Sequence, residues 1–564
     1  MKLALPGRLR PPLSRLRLPR LRPPRLRTVV DLSLWGVVAA VVFFTFRHRL
    51  LHSPGQVLDN DDGIYWQTAL AVADGHKPYS EVFHAQPPLF AWLLAQPFHW
   101  HADDLAAGEL AGRWLMVGFA LLLVVAVAGI AATVRGPRAG MLAALGVAAV
   151  PLIQLFSYQF GADVPTAALG GMALLCALRA RICSRRWARW WWLGAGAMLA
   201  LAVLVKLMAI VFVPPLLVAW LVSRPLHRPG TEQAQSPWRQ DNPRRWRAAA
   251  LAWLRRTAAA GAWLGLGFAA TVAGVLVWLS PPKQAWDQVF GFHVAAAEHR
   301  PAPDLVGFVT SGGPYAMPLL VATGVAALVA VCWPAGVVRR TGVVALVLWA
   351  GAVVPFEYLH HPTFKHHLPM FMGAWAAVLA VAVASLWSGL RLRRLGAVTA
   401  AVVLAGAWAC VWQARNREIG PYPTPTAVEA CVRRLPHDLR VVTDDQEMIS
   451  RAGLRTVPWL ADTSHVRLDS GRLSDAEVIA AAKAADAVFL STGRLKKRPD
   501  AVTWIREHYP VLYRSGKYEL YVRDRELVAW CVGKVGAPAQ VLFEPKPQVP
   551  APTAPGAGAD GAGT

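Results

Sequence analysis

Acidic residues are scarce in this chain: 34 Asp and Glu stand against 58 Lys and Arg in 564 residues. Charged side chains make up only 16% of the sequence, while hydrophobic ones make up 55% and include 25 Trp. So little charge beside so much apolar surface excludes an ordinary soluble domain and implies a polytopic membrane protein. Cysteine is scarce too, six in all, and no pair has the spacing of a metal site. Cys176, Cys183, Cys332 and Cys410 fall in or beside apolar runs, where packing is their default role. Cys431 and Cys531 remain, either as a disulfide or as two thiols. No convincing internal repeat is present, and the first apolar run lacks a small-residue cleavage site, which argues against a cleavable signal peptide.

No acidic residue precedes Asp31, against nine Lys and Arg between Lys2 and Arg27. Residues 1–28 therefore read as a basic cytoplasmic tail, able to lie against anionic lipid. The net charge of +24 does not indicate a nucleic-acid partner, because the basic residues gather in short segments between apolar stretches. Alternating those stretches with their arginine-rich flanks gives about eleven spans. They are 29–46, 110–132, 140–156, 164–178, 191–205, 208–222, 258–279, 315–333, 343–356, 368–387 and 396–412. The helical membrane region is thus 29–412, with a first external loop at 47–110. From residue 413 to 544 the charge content rises and strand-like runs appear, as in Leu439–Thr443, Ala487–Ser491, Val511–Arg514 and Tyr518–Val522. With the capping-box pattern Ser474-Asp475-Ala476-Glu477 ahead of a helical run, this predicts a small extracytoplasmic α/β domain. Residues 545–564, rich in Pro, Ala and Gly, read as a disordered tail.

The topology puts four polar features on the external face. One is the acidic stretch Asp59-Asn60-Asp61-Asp62, whose carboxylates repel one another and need a cation, a polar acceptor or water. The others are Asp163, Lys206 and the run Glu357 to His367. Ionisable groups so close to apolar segments mark a site. Simpler readings stand beside that one: a solvated loop, Asp163 as a helix N-cap before Pro165, Lys206 snorkelling to the interface. His360, His361, His366 and His367 are also metal-ligand types, though Pro362 interrupts them and no acidic cluster lies alongside. Asp444, Asp445 and Glu447 read equally well as a surface turn.

The order of motifs resembles the glycosyltransferase family 39 and aminoarabinose-transferase-like branch of the GT-C superfamily. The residues that carry the resemblance are Asp61-Asp62-Gly63-Ile64-Tyr65, Gly75-His76-Lys77-Pro78-Tyr79 and Gln86-Pro87-Pro88-Leu89. Asp163, Lys206, Val442-Thr443-Asp444 and Leu460-Ala461-Asp462-Thr463-Ser464 extend it over roughly 29–525. One departure is visible: aminoarabinose transferases carry Glu-Lys before the Pro-Pro element, and here the positions are Ala85-Gln86. The lysine expected at the lipid phosphate is absent, which argues against that particular sugar transfer.

The resemblance implies an α-helical polytopic GT-C-like membrane enzyme with a small C-terminal α/β domain. It implies transfer of a hexose or pentose from a polyprenyl-phosphate donor to an extracytoplasmic glycan, lipid or protein acceptor, with inversion. Asp61 is then the expected general base, Asp62 orients the acceptor or a metal, and Asp163 supports them. Tyr65 lines the sugar pocket. Lys206, Lys365, His366 and His367 are the expected partners of the leaving phosphate. No cofactor is fixed by the resemblance; a divalent metal ion is left open and, if used, would sit on Asp61 and Asp62. The alternatives left open are a transporter or flippase of lipid-linked saccharides, and a non-catalytic envelope scaffold.

Overall fold

The computed structural model describes residues 26–52, 60–222, 243–298, 302–332, 337–360, 363–389, 427–524, 526–527 and 540–542. The expected span at 396–412, the tail at 545–564 and nearly all of the basic segment 1–28 lie outside the described residues. Within them, seven helices are long and apolar enough to cross a membrane, and an eighth span arises if Leu305–Ser311 and Ala316–Cys332, bent by 112°, count as one. The chain is a multi-pass membrane protein.

The long helices include α1 (Leu26–His52), α4 (Leu105–Arg135), α7 (Asp163–Ile182), α8 (Arg185–Val205) and α10 (Pro243–Leu279). Asp104 caps α4 by accepting the Ala107 N–H at 3.0 Å, and Gly136, at φ 96°, turns the chain into the next helix, Pro137–Ala149. Two expected spans are corrected. The stretch 140–156 is broken at Val150-Pro151 into α5 (Pro137–Ala149) and α6 (Pro151–Phe156). The stretch 208–222 begins as a 3₁₀ turn, Leu207–Phe212, followed by the short helix α9 (Val213–Leu221). In both, proline lacks the backbone donor and fits best at a helix start, so the run restarts instead of continuing. Helices α8 and α10 meet where Gly196 and Gly267 face the Leu264 and Leu193 carbonyls so closely that a Cβ would overlap them. Small residues of this kind let membrane helices approach backbone to backbone.

The expected first external loop, 47–110, contains regular structure among its described residues. It folds into α2 (Asn60–Ala73) and α3 (Pro88–Trp100), because Tyr65, Trp66, Ala69 and Leu70 of α2 bury one face against Leu89, Phe90 and Phe98 of α3. The acidic pair Asp61 and Asp62 thus lies in the first turn of a helix, where the helix dipole favours carboxylates.

The C-terminal region holds a six-stranded sheet, β1 (Arg440–Thr443), β2 (Arg455–Thr456), β3 (Ala487–Leu490), β4 (Val511–Ser515), β5 (Tyr518–Val522) and β6 (Gln540–Leu542), in the order β2-β1-β3-β5-β4-β6. The β1 pairings are parallel and the rest antiparallel. Val428, Met448 and Ile449 cover one face, and Val478, Ala482 and Ile505 the other. The expected capping box is present, with Ser474 and Glu477 exchanging hydrogen bonds ahead of Asp475–Ala484. Asp444 is not part of a surface turn: it is buried, and its carboxylate accepts the Ser491 N–H at 2.8 Å, while Asp445 caps Gln446–Arg451. Cys431 is disulfide-bonded and Cys176, Cys183 and Cys332 are free. Cys410 and Cys531 lie outside the described residues.

Helix α2 joins the two regions. A Cβ on Gly63 would fall 2.2 Å from the Glu447 backbone nitrogen, so only glycine lets α2 pack directly on Gln446–Arg451. One turn on, Gln67 donates to Ser450 Oγ at 2.9 Å and to the Leu454 carbonyl at 3.0 Å, and its Oε1 accepts the Thr456 N–H at 2.8 Å. Both of its N–H groups and its carbonyl oxygen are engaged across the contact. At the helix end Asp74 pairs with Arg455 at 2.6 Å.

Candidate functional site

The two adjacent carboxylates at the head of α2 have different environments. Successive helix residues are about 100° apart, so they face different ways. Asp62 points inward. Arg113, on α4, grips its two oxygens at 3.3 Å each, and the Phe160 N–H donates to one of them at 2.5 Å. Arg113 also holds Glu109 at 2.7 Å and the Tyr158 carbonyl at 3.0 Å, and its guanidinium lies 4.5 Å from the Phe160 ring centroid. With its acceptor sites occupied and its side chain buried, Asp62 holds the helix head in place and does not present a carboxylate to the cavity.

Asp61 faces the other way, with 40% of its side chain exposed and His366 Nε2 at 3.4 Å. It borders a cavity of about 310 Å³ between the membrane helices and the sheet region, lined also by Tyr65, Lys206, His366 and His367, and from the far side by Asp462. Tyr65 packs edge-on against Phe90 at 5.1 Å. Burial, and then the nearby Asp61, Asp163 and Asp462 carboxylates, push its phenol well above the ordinary range. It stays a neutral hydrogen-bonding group.

Asp163 and Lys206 meet in a buried pair. The Lys206 ammonium lies 2.9 Å from both Asp163 oxygens. Asp163 is the first residue of α7 and Ala162 is the cap, so the N-cap reading is not what the geometry shows. Lys206 ends α8 in an extended conformation that turns its side chain into the protein, which disposes of snorkelling. Two of its three N–H groups are spent on Asp163, and one remains for a ligand in the cavity it lines.

Behind Asp61 runs a row of imidazoles. His366 and His367 are 4.4 Å apart by ring centroid, His360 lies 5.4 Å from His367, and His293 lies 6.2 Å from His360. His367 is held well below its usual pKa by burial, then by His366 and Lys206. His293 is pushed down to about 4 by burial and then by Lys206. Both are neutral donors and acceptors at physiological pH. Lys365 does not join them: it is exposed, at the other side of the short turn Lys365–His367. His361 lies outside the described residues.

Among the described residues, Asp163, His366 and His367 form a group whose ligand atoms lie within 4.8 Å of one another. As arranged, this set fits a cation poorly. Lys206 already occupies both Asp163 oxygens, and His367 Nδ1 accepts the Phe364 N–H at 3.2 Å, which leaves its proton on Nε2. A divalent ion would have to displace the ammonium.

Sequence reasoning passed over Arg113, His84, His293 and Asp462 as site residues. Arg113 had a usable signal, an arginine inside an apolar run. The others are placed by tertiary contacts alone.

Residues 85–238 match the family described as dolichyl-phosphate-mannose-protein mannosyltransferase. No curated protein sequence matches the chain. Among solved structures, ArnT from Cupriavidus metallidurans bound to undecaprenyl phosphate is 13% identical with a TM-score of 0.57, covering 88% of this chain and 99% of that one. Its apo form is 14% identical with a TM-score of 0.55, covering 89% and 98%. The archaeal oligosaccharyltransferase AglB from Archaeoglobus fulgidus, in complex with an inhibitory peptide and a dolichol-phosphate, is 12% identical with a TM-score of 0.50, covering 89% and 75%. The fold is that of the GT-C glycosyltransferases, as the motif order implied.

Proposed function

We propose that this GT-C-fold chain is a membrane glycosyltransferase that moves a sugar from a polyprenyl-phosphate donor to an acceptor on the extracytoplasmic side, with inversion. The observation that carries the reading is Asp61, a half-exposed carboxylate bordering the same cavity as the Lys206 ammonium and the His366 and His367 imidazoles. The likeness to an ArnT structure holding undecaprenyl phosphate supports a lipid phosphate as the leaving group. The basic flanks of the spans support a cytoplasmic N-terminus and an extracytoplasmic sheet domain.

In this mechanism the acceptor hydroxyl gives its proton to Asp61 as its oxygen bonds to the anomeric carbon. The bond from that carbon to the phosphate oxygen breaks, and the phosphate leaves with the electron pair. The remaining Lys206 N–H and the His367 Nε2–H donate to the charge growing on phosphate, which a low-dielectric site makes effective. His366 beside Asp61 steadies the carboxylate. Asp62 with Arg113, and Asp163 with Lys206, are positioning pairs: the first fixes the head of α2, the second fixes the lysine.

The test is transfer or hydrolysis by the purified protein with a panel of undecaprenyl-phosphate hexoses and pentoses. Release of undecaprenyl phosphate from at least one donor is expected. Tight donor binding without any release in the presence of envelope glycans and lipids would favour a flippase instead.

A further inference from the structure

His84 is a buried polar group that this mechanism does not use. Only 4% of it is exposed, yet it borders the cavity, and its Nε2 has no hydrogen-bond partner. The Pro87 carbonyl beside the ring takes its single N–H, and burial pushes the imidazole down to about 4, so it is neutral and keeps one nitrogen as a spare acceptor. A buried acceptor left without a partner is costly, and native proteins keep few of them, so each one calls for an explanation such as a bound molecule.

The loop around His84 is built to hold it still. Gln288 donates to the Tyr79 carbonyl at 2.7 Å and accepts the His84 backbone N–H at 3.0 Å, and the Tyr79 hydroxyl donates to the Gln86 carbonyl at 2.8 Å. Tyr79 sits at φ 69°, in the left-handed region that a bulky residue enters only when its surroundings impose it. Phe83, the residue before His84, locks the loop to the sheet region. Its ring lies 3.7 Å from the Arg467 guanidinium, which in turn donates to the Asp462 carbonyl at 2.7 Å. The Asp462 carboxylate borders the cavity as well. One of its oxygens accepts the Ser464 N–H at 2.7 Å, which leaves acceptor capacity on the other.

We propose that His84 and Asp462 form a hydroxyl-reading subsite for carbohydrate in this cavity, the imidazole nitrogen accepting one sugar O–H and the Asp462 carboxylate a second. Two acceptors on opposed segments, in a lining that also holds the apolar rings of Phe83 and Phe292, 5.7 Å apart by centroid, suit a neutral polyhydroxyl ring with polar edges and apolar faces. They do not suit a phosphate, which itself only accepts. The inference rests on the glycosyltransferase reading and adds which residues see the sugar. The carbohydrate is either the donor's glycosyl group or a glycan acceptor.

The experiment measures binding of full-length wild type and the His84→Phe, His84→Gln and Asp462→Asn variants to three probes: undecaprenyl phosphate, undecaprenyl-phosphate mannose and free mannobiose. His84→Phe should bind undecaprenyl phosphate as wild type does, which also shows that it folds, and lose about tenfold on a sugar probe, the effect of one unmade hydrogen bond. His84→Gln, which keeps an acceptor, should recover most of that loss. Loss on undecaprenyl-phosphate mannose assigns the subsite to the donor, and loss on mannobiose to a glycan acceptor. Unchanged binding of both sugar probes by His84→Phe overturns the subsite and leaves the transferase reading intact, as does an equal loss on bare undecaprenyl phosphate. A wild type that binds neither sugar probe overturns both.

Discussion

Lys206 and Asp163 sit 43 positions apart in sequence and form a two-pronged ion pair, 2.9 Å to each carboxylate oxygen, with both side chains almost wholly buried. Such a pair is held by mutual attraction against a large desolvation cost, so removing one partner is worse than removing both. Lys206→Met should lower stability by about 3–5 kcal/mol, and the double variant Lys206→Met with Asp163→Leu by much less. Unfolding midpoints in a single detergent read the difference. Equal losses for the single and double variants would mean that the pair is not coupled.

Arg113 and Asp62 make the second test. Lysine keeps the charge but cannot grip a carboxylate with two parallel N–H groups, so Arg113→Lys should not restore the wild-type arrangement. The expected result is a lowered kcat with donor affinity nearly unchanged, because the head of α2 carries Asp61 out of line by a fraction of an ångström. A change confined to KM would place Arg113 at the substrate.

The buried imidazoles set a pH dependence of stability. His84 and His293 both have folded pKa values of about 4, below the unfolded value near 6.5. Between those limits the unfolded chain binds more protons, so stability is intact above about pH 6.5 and is lost as pH falls toward 4, at roughly 1 kcal/mol per pH unit for each group. Unfolding midpoints measured across pH 4–7 should fall toward the acid side, and less steeply in His293→Gln. A flat wild-type profile contradicts burial of neutral imidazoles.

Gly63 tests the contact between α2 and the sheet region. In Gly63→Ala the new methyl meets the backbone of Gln446 and Glu447, which cannot yield as a flexible side chain would. Overpacking of this kind costs about 1–3 kcal/mol. Limited proteolysis should show faster cleavage between the two regions, and turnover should fall with them. Wild-type cleavage and turnover would show that the two regions tolerate a looser fit.

Metal removal separates the two chemistries open to Asp163, His366 and His367. With Lys206 on the carboxylate, chelation should leave turnover within about twofold, since the chain's own ammonium and imidazoles stabilise the phosphate. Loss of turnover on chelation, restored by one divalent ion, would mean that the ion displaces Lys206.

Much of this architecture is legible in the sequence because membrane helices announce themselves. Asp61, Asp163, Lys206, His366 and His367 stood out as ionisable residues at the ends of apolar runs, and the fold brings all five to neighbouring walls of one site. Lys365 had the same signal but faces solvent, since successive residues in a tight turn point about 120° apart and one of three must look away. Helix α2 read as a loop because its polar head masks the apolar face that packs on α3. The partition of Asp61 from Asp62 could not be read at all: both are aspartates in one turn, and only Arg113, about fifty residues on, decides which is buried. The same is true of Gly63, His84 and Asp462, whose roles come from contacts between the helical region and the sheet.

The most direct test of the account is the turnover of Asp61→Asn beside its binding of undecaprenyl phosphate. The amide keeps the shape of the side chain but cannot take the acceptor's proton, so sugar transfer should fall by about 10²- to 10⁴-fold while lipid-phosphate affinity stays within a few-fold. Turnover equal to wild type would contradict the assignment of Asp61 as the base, and with it the proposed mechanism.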